Sequence, residues 1–328
     1  MGNSSPSPGV YMMNADGTGQ ARIHSGSITS PPRGNAVLIA NALGFSDSTE
    51  YVITNISGKN EKRVFAISGI NNYAVLSPDG KYIAYNYYIF GSRYYLKLHN
   101  VDDNTDIFIG DTLHTDGHNI PVFSPDSKRL LYSSDNFTIN VMNVDGTGNK
   151  ELVTNAYINH SSAYYPQSFD WTPDGSKICY ASLGPSRIDK LVFYDVASGG
   201  VISHSIDSAG ALSVKLSPKG TFVLYELSSL YSYHGNQYVV STPWLYNITT
   251  GESKKLSVPF PTAGHGIIDY AWSPDEKTLL MQSTGSNPDG TGFYSTIFSL
   301  DIPSGNAVDL KMPDVVFCEM FWSKSVTQ

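Results

Sequence analysis

The sequence predicts an all-β fold, a β-propeller of seven four-stranded blades, and two interleaved signatures carry this prediction. In the first, a serine or threonine closes a short apolar stretch and opens a tight turn. It occurs at intervals of 47, 47, 48, 45, 56 and 50 residues, at Ser30, Ser77, Ser124, Thr172, Ser217, Ser273 and Ser323. In the second, an asparagine or aspartate follows an apolar run and precedes a turn, at Asn14, Asn55, Asn100, Asn143, Asp195, Asn247 and Asp301. Self-similarity at this period is typical of propeller blades, and no helical periodicity of useful length interrupts it.

The first signature predicts a strand, a tight turn and a second strand. In Ser77-Pro78-Asp79-Gly80, proline presets φ at the second turn position and glycine tolerates the conformation that follows. Apolar runs rich in β-branched and aromatic residues flank this turn, as strands do. The asparagine or aspartate of the second signature can bond its own backbone and marks a hairpin into a further strand. Each unit therefore has four strands, A to D, joined by an A–B turn, a B–C loop and a C–D turn.

The order of the two signatures predicts how the ring closes. The second signature comes first, at Asn14, and the first signature comes last, at Ser323, with six whole units between them. We therefore expect the N-terminal C and D strands, which include Tyr11 to Asn14, to share a seventh blade with a C-terminal A strand from Val315 to Trp322. Such sharing removes open sheet edges. No strand B is identified for that blade, and six blades are the alternative.

Several strings carry a family resemblance. MNADGTGQARI, MNVDGTGNKELV and SPDGKYIAY resemble the repeats of TolB-like propellers, also called PD40 or WD40-like repeats, and the resemblance covers nearly the whole chain. It implies a propeller fold in a bacterial, exported protein that binds other proteins. The chain departs from TolB itself because it has no N-terminal α/β domain and seven predicted units where TolB has six.

Composition is compatible with one exported β domain. Residues 9–328 are expected to form a single propeller. Residues 1–8, MGNSSPSP, are expected to form a flexible lead after a removed signal or lipoprotein segment. This start predicts a periplasmic or cell-surface location, with a cytoplasmic start as the alternative. Only 15% of residues are charged, the net charge is −8 and the basic residues form no cluster, which argues against nucleic acid as a partner. No apolar run approaches the roughly 20 residues of a membrane helix. We expect a monomer.

Two residue classes are interpreted as structural. Cys179 and Cys318 fall in different units and are expected to be free, buried and inert. The aspartates of the repeated turns, including Asp16, Asp79, Asp145 and Asp174, are interpreted as turn formers in preference to metal ligands.

Strand alternation sorts the connections into two rims. The A–B and C–D turns share one rim, named here the short-turn rim, and the B–C and D–A connections share the other, the long-loop rim. Predicted B–C loops span Asn86 to Arg93, Glu226 to Ser241 and Gln282 to Gly292, and predicted D–A loops span Gly110 to His118 and Ala156 to Tyr165. Their aromatic residues predict a surface for a protein partner, or for a glycan. The candidate binding residues are Tyr87, Tyr88, Phe90, Tyr164, Tyr165, Tyr231, Tyr233, His234 and Tyr238. The alternative is that half or more of these rings pack on neighbouring blades.

Histidines give the one indication of enzymatic chemistry. His118, His160 and His265 precede A strands and could converge at the channel mouth, where Gln167 would complete a site for one divalent metal ion. Asp170, Asp269 and Glu319 lie on the A strands themselves. A lyase-like, metal-dependent enzyme acting on polysaccharides is therefore the alternative function, and independent solvated histidines are the favoured interpretation. No G-x-S-x-G motif and no glycine-rich phosphate loop occur. The sequence favours a non-enzymatic binding or scaffold propeller without a cofactor.

Overall fold

The computed structural model describes residues 9–322 with gaps. The residues outside the description are 1–8, 15, 31–35, 44–47, 69–73, 89–93, 114–120, 135–137, 155–168, 184–188, 206–210, 234–235, 258–265, 287–292, 311–319, 321 and 323–328. The expected lead over residues 1–8 lies outside them.

The described chain is all-β and forms six four-stranded antiparallel sheets and one two-stranded sheet. The two-stranded sheet is the N-terminal hairpin of β1 Val10–Met12 and β2 Ala21–His24. Blade one is β3 Ser27–Ile28, β4 Ala36–Ala42, β5 Ser48–Asn55 and β6 Lys62–Ser68. Blade two is β7 Ala74–Leu76, β8 Tyr82–Tyr88, β9 Tyr94–Asn100 and β10 Thr105–Leu113. Blade three is β11 Val122–Phe123, β12 Arg129–Ser134, β13 Thr138–Asn143 and β14 Lys150–Val153.

The remaining sheets have the same strand order. Blade four is β15 Phe169–Trp171, β16 Lys177–Leu183, β17 Asp189–Asp195 and β18 Val201–Ser205. Blade five is β19 Ala211–Leu216, β20 Phe222–Tyr233, β21 Asn236–Asn247 and β22 Ser253–Lys255. Blade six is β23 Gly266–Trp272, β24 Thr278–Ser286, β25 Phe293–Asp301 and β26 Ala307–Asp309. The predicted four-strand unit, its turn positions and the propeller class are confirmed.

One hydroxyl organises the A–B turn. The Ser77 Oγ donates to the Asp79 carboxylate over 2.6 Å and accepts the Tyr82 N–H over 2.9 Å. Gly80, at φ 76°, takes the left-handed conformation that the turn requires. Ser124, Thr172 and Ser273 make the same pair of bonds in their own turns. At the third of these turns, hydrogen bonds from Thr172 and Ser176 lower the pKa of Asp174 to about 2. The interpretation of Asp79 and Asp174 as turn formers is confirmed, and Asp16 and Asp145 likewise accept bonds within their turns.

Blade five breaks this pattern and is repaired by its neighbour. Lys219 stands where the turns of Ser77, Ser124, Thr172 and Ser273 have aspartate, so the turn of Ser217 has no carboxylate of its own. Glu276 of blade six supplies one: it accepts the Lys219 N–H over 2.6 Å, the Thr221 N–H over 3.5 Å, and the Ser217 hydroxyl. Burial raises the pKa of Glu276, but these hydrogen bonds outweigh it and hold the pKa below its ordinary value. Glu276 does this from φ 65°, where the equivalent residue of blades two, four and five is glycine.

The core lies between adjacent blades. Along each B strand, alternate residues face opposite neighbours. Ile83 and Tyr85 join a buried cluster with Leu38 and Tyr51 of blade one, whereas Ala84 joins one with Phe123 of blade three. Each blade therefore buries both faces against its neighbours, and the ring has a continuous apolar layer.

The chain ends meet at blade six. Met13 and Trp322 pack against a cluster that includes Leu280 and Met320, and Val10 packs against Val37 of blade one. The N-terminal hairpin therefore contacts both blade one and blade six. The predicted seventh blade itself is not confirmed, because the described residues give six four-stranded sheets and leave β1–β2 two-stranded. Residues 315–319 of the predicted last strand lie outside the described residues.

We predict that an aspartate at position 219, within the turn of Ser217, can replace the carboxylate that Glu276 supplies from blade six. Glu276→Gly should lower the free energy of unfolding by roughly 1–2 kcal/mol, although glycine suits this φ, because the Lys219 N–H and Ser217 hydroxyl lose their acceptor. Lys219→Asp in the same chain should recover most of this loss. Urea denaturation of both variants measures it.

Lys219→Asp alone is the matched control. It should destabilise the protein, because two carboxylates would then face each other at one turn. If the double variant is as unstable as Glu276→Gly alone, the carboxylate is not what Glu276 contributes.

Candidate functional site

The long-loop rim is built largely from strands. Glu226 to Ser241 was predicted to be a B–C loop, and this prediction is wrong: β20 and β21 pair over twelve consecutive residue pairs, from Phe222↔Asn247 to Tyr233↔Asn236. The reason is the sequence of the segment itself. Both strands contain tyrosine and other residues that favour strands, and cross-strand pairs such as Tyr231↔Tyr238 and Leu230↔Val239 favour continued pairing over a loop.

Three other predicted loops are also shorter than expected. Tyr87 and Tyr88 belong to β8 and pair with Tyr95 and Tyr94. Residues 282–286 belong to β24, and residues 110–113 belong to β10. Sequence reasoning placed these strand ends too early because it stopped each strand at the first polar residue.

Blade five carries an arm that the other blades lack. Pairing of β20 with β19 ends at Leu227, and pairing of β21 with β22 begins at Trp244. Residues 228–241, named here the blade-five arm, therefore continue as a two-stranded ribbon of six pairs, roughly 20 Å long at about 3.3 Å per residue. The arm contains no Asp, Glu, Lys or Arg. Among the described strands, it is the longest extension beyond the four-stranded part of a blade.

The predicted binding residues divide into two groups. The backbones of Tyr87 and Tyr88 lie at the end of β8, and those of Tyr231, Tyr233 and Tyr238 lie in the blade-five arm. Both sets are at the same rim, as predicted. The remaining four, Phe90, Tyr164, Tyr165 and His234, lie outside the described residues.

The predicted metal site also falls outside the description. His118, His160, His265 and Gln167 are all in its gaps, as is Glu319. Among the residues that the structure does describe, no group of three or more His, Cys, Asp or Glu side chains could hold a metal ion.

A row of buried polar side chains underlies the long-loop rim. The fifth residue of four B strands is polar and 0% exposed, at Asn86, Ser133, Glu226 and Gln282. Gln282 donates to Ser295 over 2.8 Å. The sequence does contain the signal, since each of these residues follows three apolar residues at the same distance from its turn, but strand prediction treats them only as strand ends. The row separates the apolar core from the rim.

The acidic residues of the A strands tie neighbouring blades together. Asp170 accepts the N–H of Trp171 and, over 3.2 Å, that of Leu216 in the next blade. Asp269 repeats the arrangement with the N–H groups of Tyr270 and Met320. Burial raises the pKa of Asp269 to about 6, partly offset by the Lys215 ammonium and the two N–H groups. These carboxylates are therefore occupied by backbone donors.

Cys179 is free and buried in blade four, as predicted. Burial raises the pKa of its thiol, and the Asp170 carboxylate raises it further. A thiol held in this protonated form is a poor nucleophile. Cys318 lies outside the described residues.

Comparison with known proteins places the fold. No protein-family model and no curated protein matches the sequence. A candidate TolB from Agrobacterium tumefaciens is similar over 81% of this chain and 89% of its own, at 16% identity and a TM-score of 0.51. Hydrazine synthase from Kuenenia stuttgartiensis is similar over 88% and 95%, at 14% identity and a TM-score of 0.56. The fold of the present chain is that of a TolB-like propeller.

A third similar structure is longer than this chain. TolB from Acinetobacter baumannii is 18% identical with a TM-score of 0.49, and the match covers 83% of this chain but only 63% of that protein. Within the described part of this TolB-like propeller, no helix is long and apolar enough to cross a membrane.

We predict that Asp269 makes stability fall as pH rises from about 4 to 6. Its folded pKa, about 6, lies above its ordinary value of 3.8, so the folded state binds the extra proton in this window. The cost of ionisation is up to about 3 kcal/mol for a shift of this size. Asp269→Asn should abolish this slope, measured by urea denaturation at several pH values.

Asp174→Asn is the control, because a pKa of about 2 places the titration of Asp174 below the window. An unchanged slope in Asp269→Asn would show that another group is responsible.

Proposed function

We propose that this chain is a non-enzymatic binding propeller of the bacterial cell envelope that engages a protein through its long-loop rim. The observation that carries the proposal is the blade-five arm, where the regular repeat is extended by six strand pairs. Additions to a rigid scaffold concentrate at binding surfaces. The short-turn rim is committed to its own hydrogen bonds, both within its turns and between neighbouring blades.

The composition of the arm supports a protein partner. It is rich in tyrosine and serine and has no Asp, Glu, Lys or Arg. Tyrosine supplies contact area at a low cost in conformational entropy, and serine supplies adaptable hydrogen bonds. We therefore propose Tyr231, Tyr233 and Tyr238 as contact residues, together with Tyr87 and Tyr88 of blade two. Phe90, Tyr164, Tyr165 and His234 belong to the same proposal. A glycan is the second candidate ligand.

The proposed location is the periplasm or the cell surface. The proteins of similar fold include a candidate TolB, and this likeness supports the proposal. A cytoplasmic location is the alternative. We propose no cofactor.

We also propose that the two chain ends form a seventh blade. Trp322 Nε1 donates to the Ala271 carbonyl over 2.9 Å, and Trp171 Nε1 donates to the Val122 carbonyl over 3.1 Å. Each tryptophan directly precedes the serine or threonine of a turn signature. Each acceptor carbonyl belongs to the residue two positions before the serine of the signature in the preceding blade. Trp322 therefore bonds to blade six in the same way that Trp171 of blade four bonds to blade three, the blade that precedes it.

We predict that Trp322→Phe and Trp171→Phe each lower the free energy of unfolding by about 1 kcal/mol, because each loses one hydrogen bond between blades. Trp272→Phe is the control. Its Nε1 is buried with no hydrogen-bond partner, so its loss should cost less. Equal losses at all three positions, measured by urea denaturation, would refute the equivalence of Trp322 and Trp171.

A metal-dependent, polysaccharide-processing enzyme remains the alternative function, with His118, His160, His265 and Gln167 as ligands of one divalent ion. Zinc or manganese would then raise the melting temperature by mass action, and a chelator would reverse the change. We expect neither effect.

We predict that the arm can be removed without loss of the fold but with loss of binding. Leu227 and Thr242 face each other in register, so residues 228–241 can be replaced by Asn-Gly, which favours a two-residue hairpin turn. The shortened variant should melt within a few degrees of the wild type and lose at least tenfold in capture of the partner from an envelope extract. Tyr231→Ala with Tyr233→Ala should lose about as much, at ~2 kcal/mol per buried anchor.

Asp145→Ala, on the short-turn rim, is the matched control and should lower stability while leaving capture unchanged. Protease treatment of the extract separates the ligand classes: capture that survives it indicates a glycan. If the shortened variant captures the partner normally and Asp145→Ala does not, the binding face is the other rim.

A further inference from the structure

The outer strand of blade four, β18, is the most regular edge of the molecule. Val201–Ser205 pairs with β17 over five consecutive residues without a register shift. It is the last strand of its sheet, so along its other side the ladder ends in the described chain. A strand edge of this kind presents unpaired N–H and C=O groups to which another strand can add.

Every other outer strand in the described part of the chain carries a feature that discourages strand addition. Such features are charged side chains, short length and bulges. β22 and β26 have three residues each, with Lys254, Lys255 and Asp309 among them, and β2, β6, β10 and β14 each adjoin a register shift and carry at least one charged residue. β18 has neither a charge nor a shift, and it has five residues.

The strand also exposes apolar side chains. Val201 is 58% exposed and Ile202 is 56% exposed. Ile202 pairs with Phe193, and His204, two residues on and therefore on the same face, stacks on Tyr246 with ring centroids 4.9 Å apart. The apolar layer of the blade thus continues to its outer edge.

We propose that β18 pairs antiparallel with β18 of a second copy of this chain. A two-fold axis through the pair of Ser203 residues uses all five residues, since Val201 then faces Ser205 and Ile202 faces His204 of the other copy. The two blades would join as one eight-stranded sheet, with an isologous contact of the kind that most homodimers use.

Charge favours a second copy as the occupant. Identical uncharged strands meet without like-charge repulsion, whereas a charged strand from another protein would find no counterpart on β18. The charges on β17 are of both signs, Asp189, Lys190 and Asp195, and the net charge of −8 is screened beyond about 8 Å at physiological salt. Five residue pairs make a small interface, so the dimer should be weak, with Kd on the order of 10–100 μM.

Sedimentation velocity over about 5–500 μM tests the proposal. The weight-average mass of the wild type should rise from 35.7 kDa towards twice that value. Ile202→Lys places a charge on the edge and should raise Kd at least tenfold. Val308→Lys is the matched control, because Val308 is also 58% exposed on an outer strand, and it should dimerise like the wild type.

Cysteine trapping tests the register. Ser203→Cys lies at the proposed axis, where paired Cα atoms about 5 Å apart allow a disulfide, so it should cross-link between copies under mild oxidation. Val308→Cys should not. The proposal is overturned if the wild type stays monomeric at about 500 μM, if Val308→Lys weakens association as much as Ile202→Lys, or if the two cysteine variants cross-link equally.

Discussion

The structure depends on one hydroxyl group that recurs at each A–B turn. Ser77 both donates to Asp79 and accepts the N–H of Tyr82, while the N–H of Gly80 closes the turn on the Ser77 carbonyl. These bonds fix where the A strand ends and the B strand begins. Because side chains alternate along a strand, this starting point also decides which residues face each neighbouring blade. The turn therefore determines which residues of the B strand enter each inter-blade cluster.

The same turns connect the blades to each other. The Asp79 N–H donates to the Ser127 hydroxyl of blade three, and Glu276 of blade six completes the turn of blade five. Ser127 and Glu276 both hold left-handed backbone conformations in which glycine would be less strained. The inter-blade bond offsets that strain. The short-turn rim is thus a hydrogen-bonded belt, which leaves little of its surface to evolve towards a ligand.

Most of the fold could be predicted from the sequence because the turn chemistry is local. Serine, proline, aspartate and glycine act on residues two to five positions away, so their effect on the turn can be predicted without a structure. The blade-five arm could not be predicted in the same way. Tyr231 and Val240 lie in strands because each has a partner across a register set by the whole hairpin. Glu276 shows a second limit, since its role is defined by the missing aspartate at position 219 of another blade. Of the candidate site, only the backbones of five tyrosines are described, and all five lie at the long-loop rim; whether this rim binds a partner stays a prediction.

The buried polar row explains how the long-loop rim can vary without harm to the core. Asn86, Ser133, Glu226 and Gln282 each occupy the fifth position of a B strand, immediately beyond three apolar residues that belong to the inter-blade clusters. Buried polar groups require hydrogen-bond partners, so the core cannot extend past this level without leaving some of them unpaired. β12 stops one residue after Ser133, whereas β20 continues for seven residues after Glu226. A sequence change that lengthens or shortens this rim therefore alters the surface that we propose for a partner.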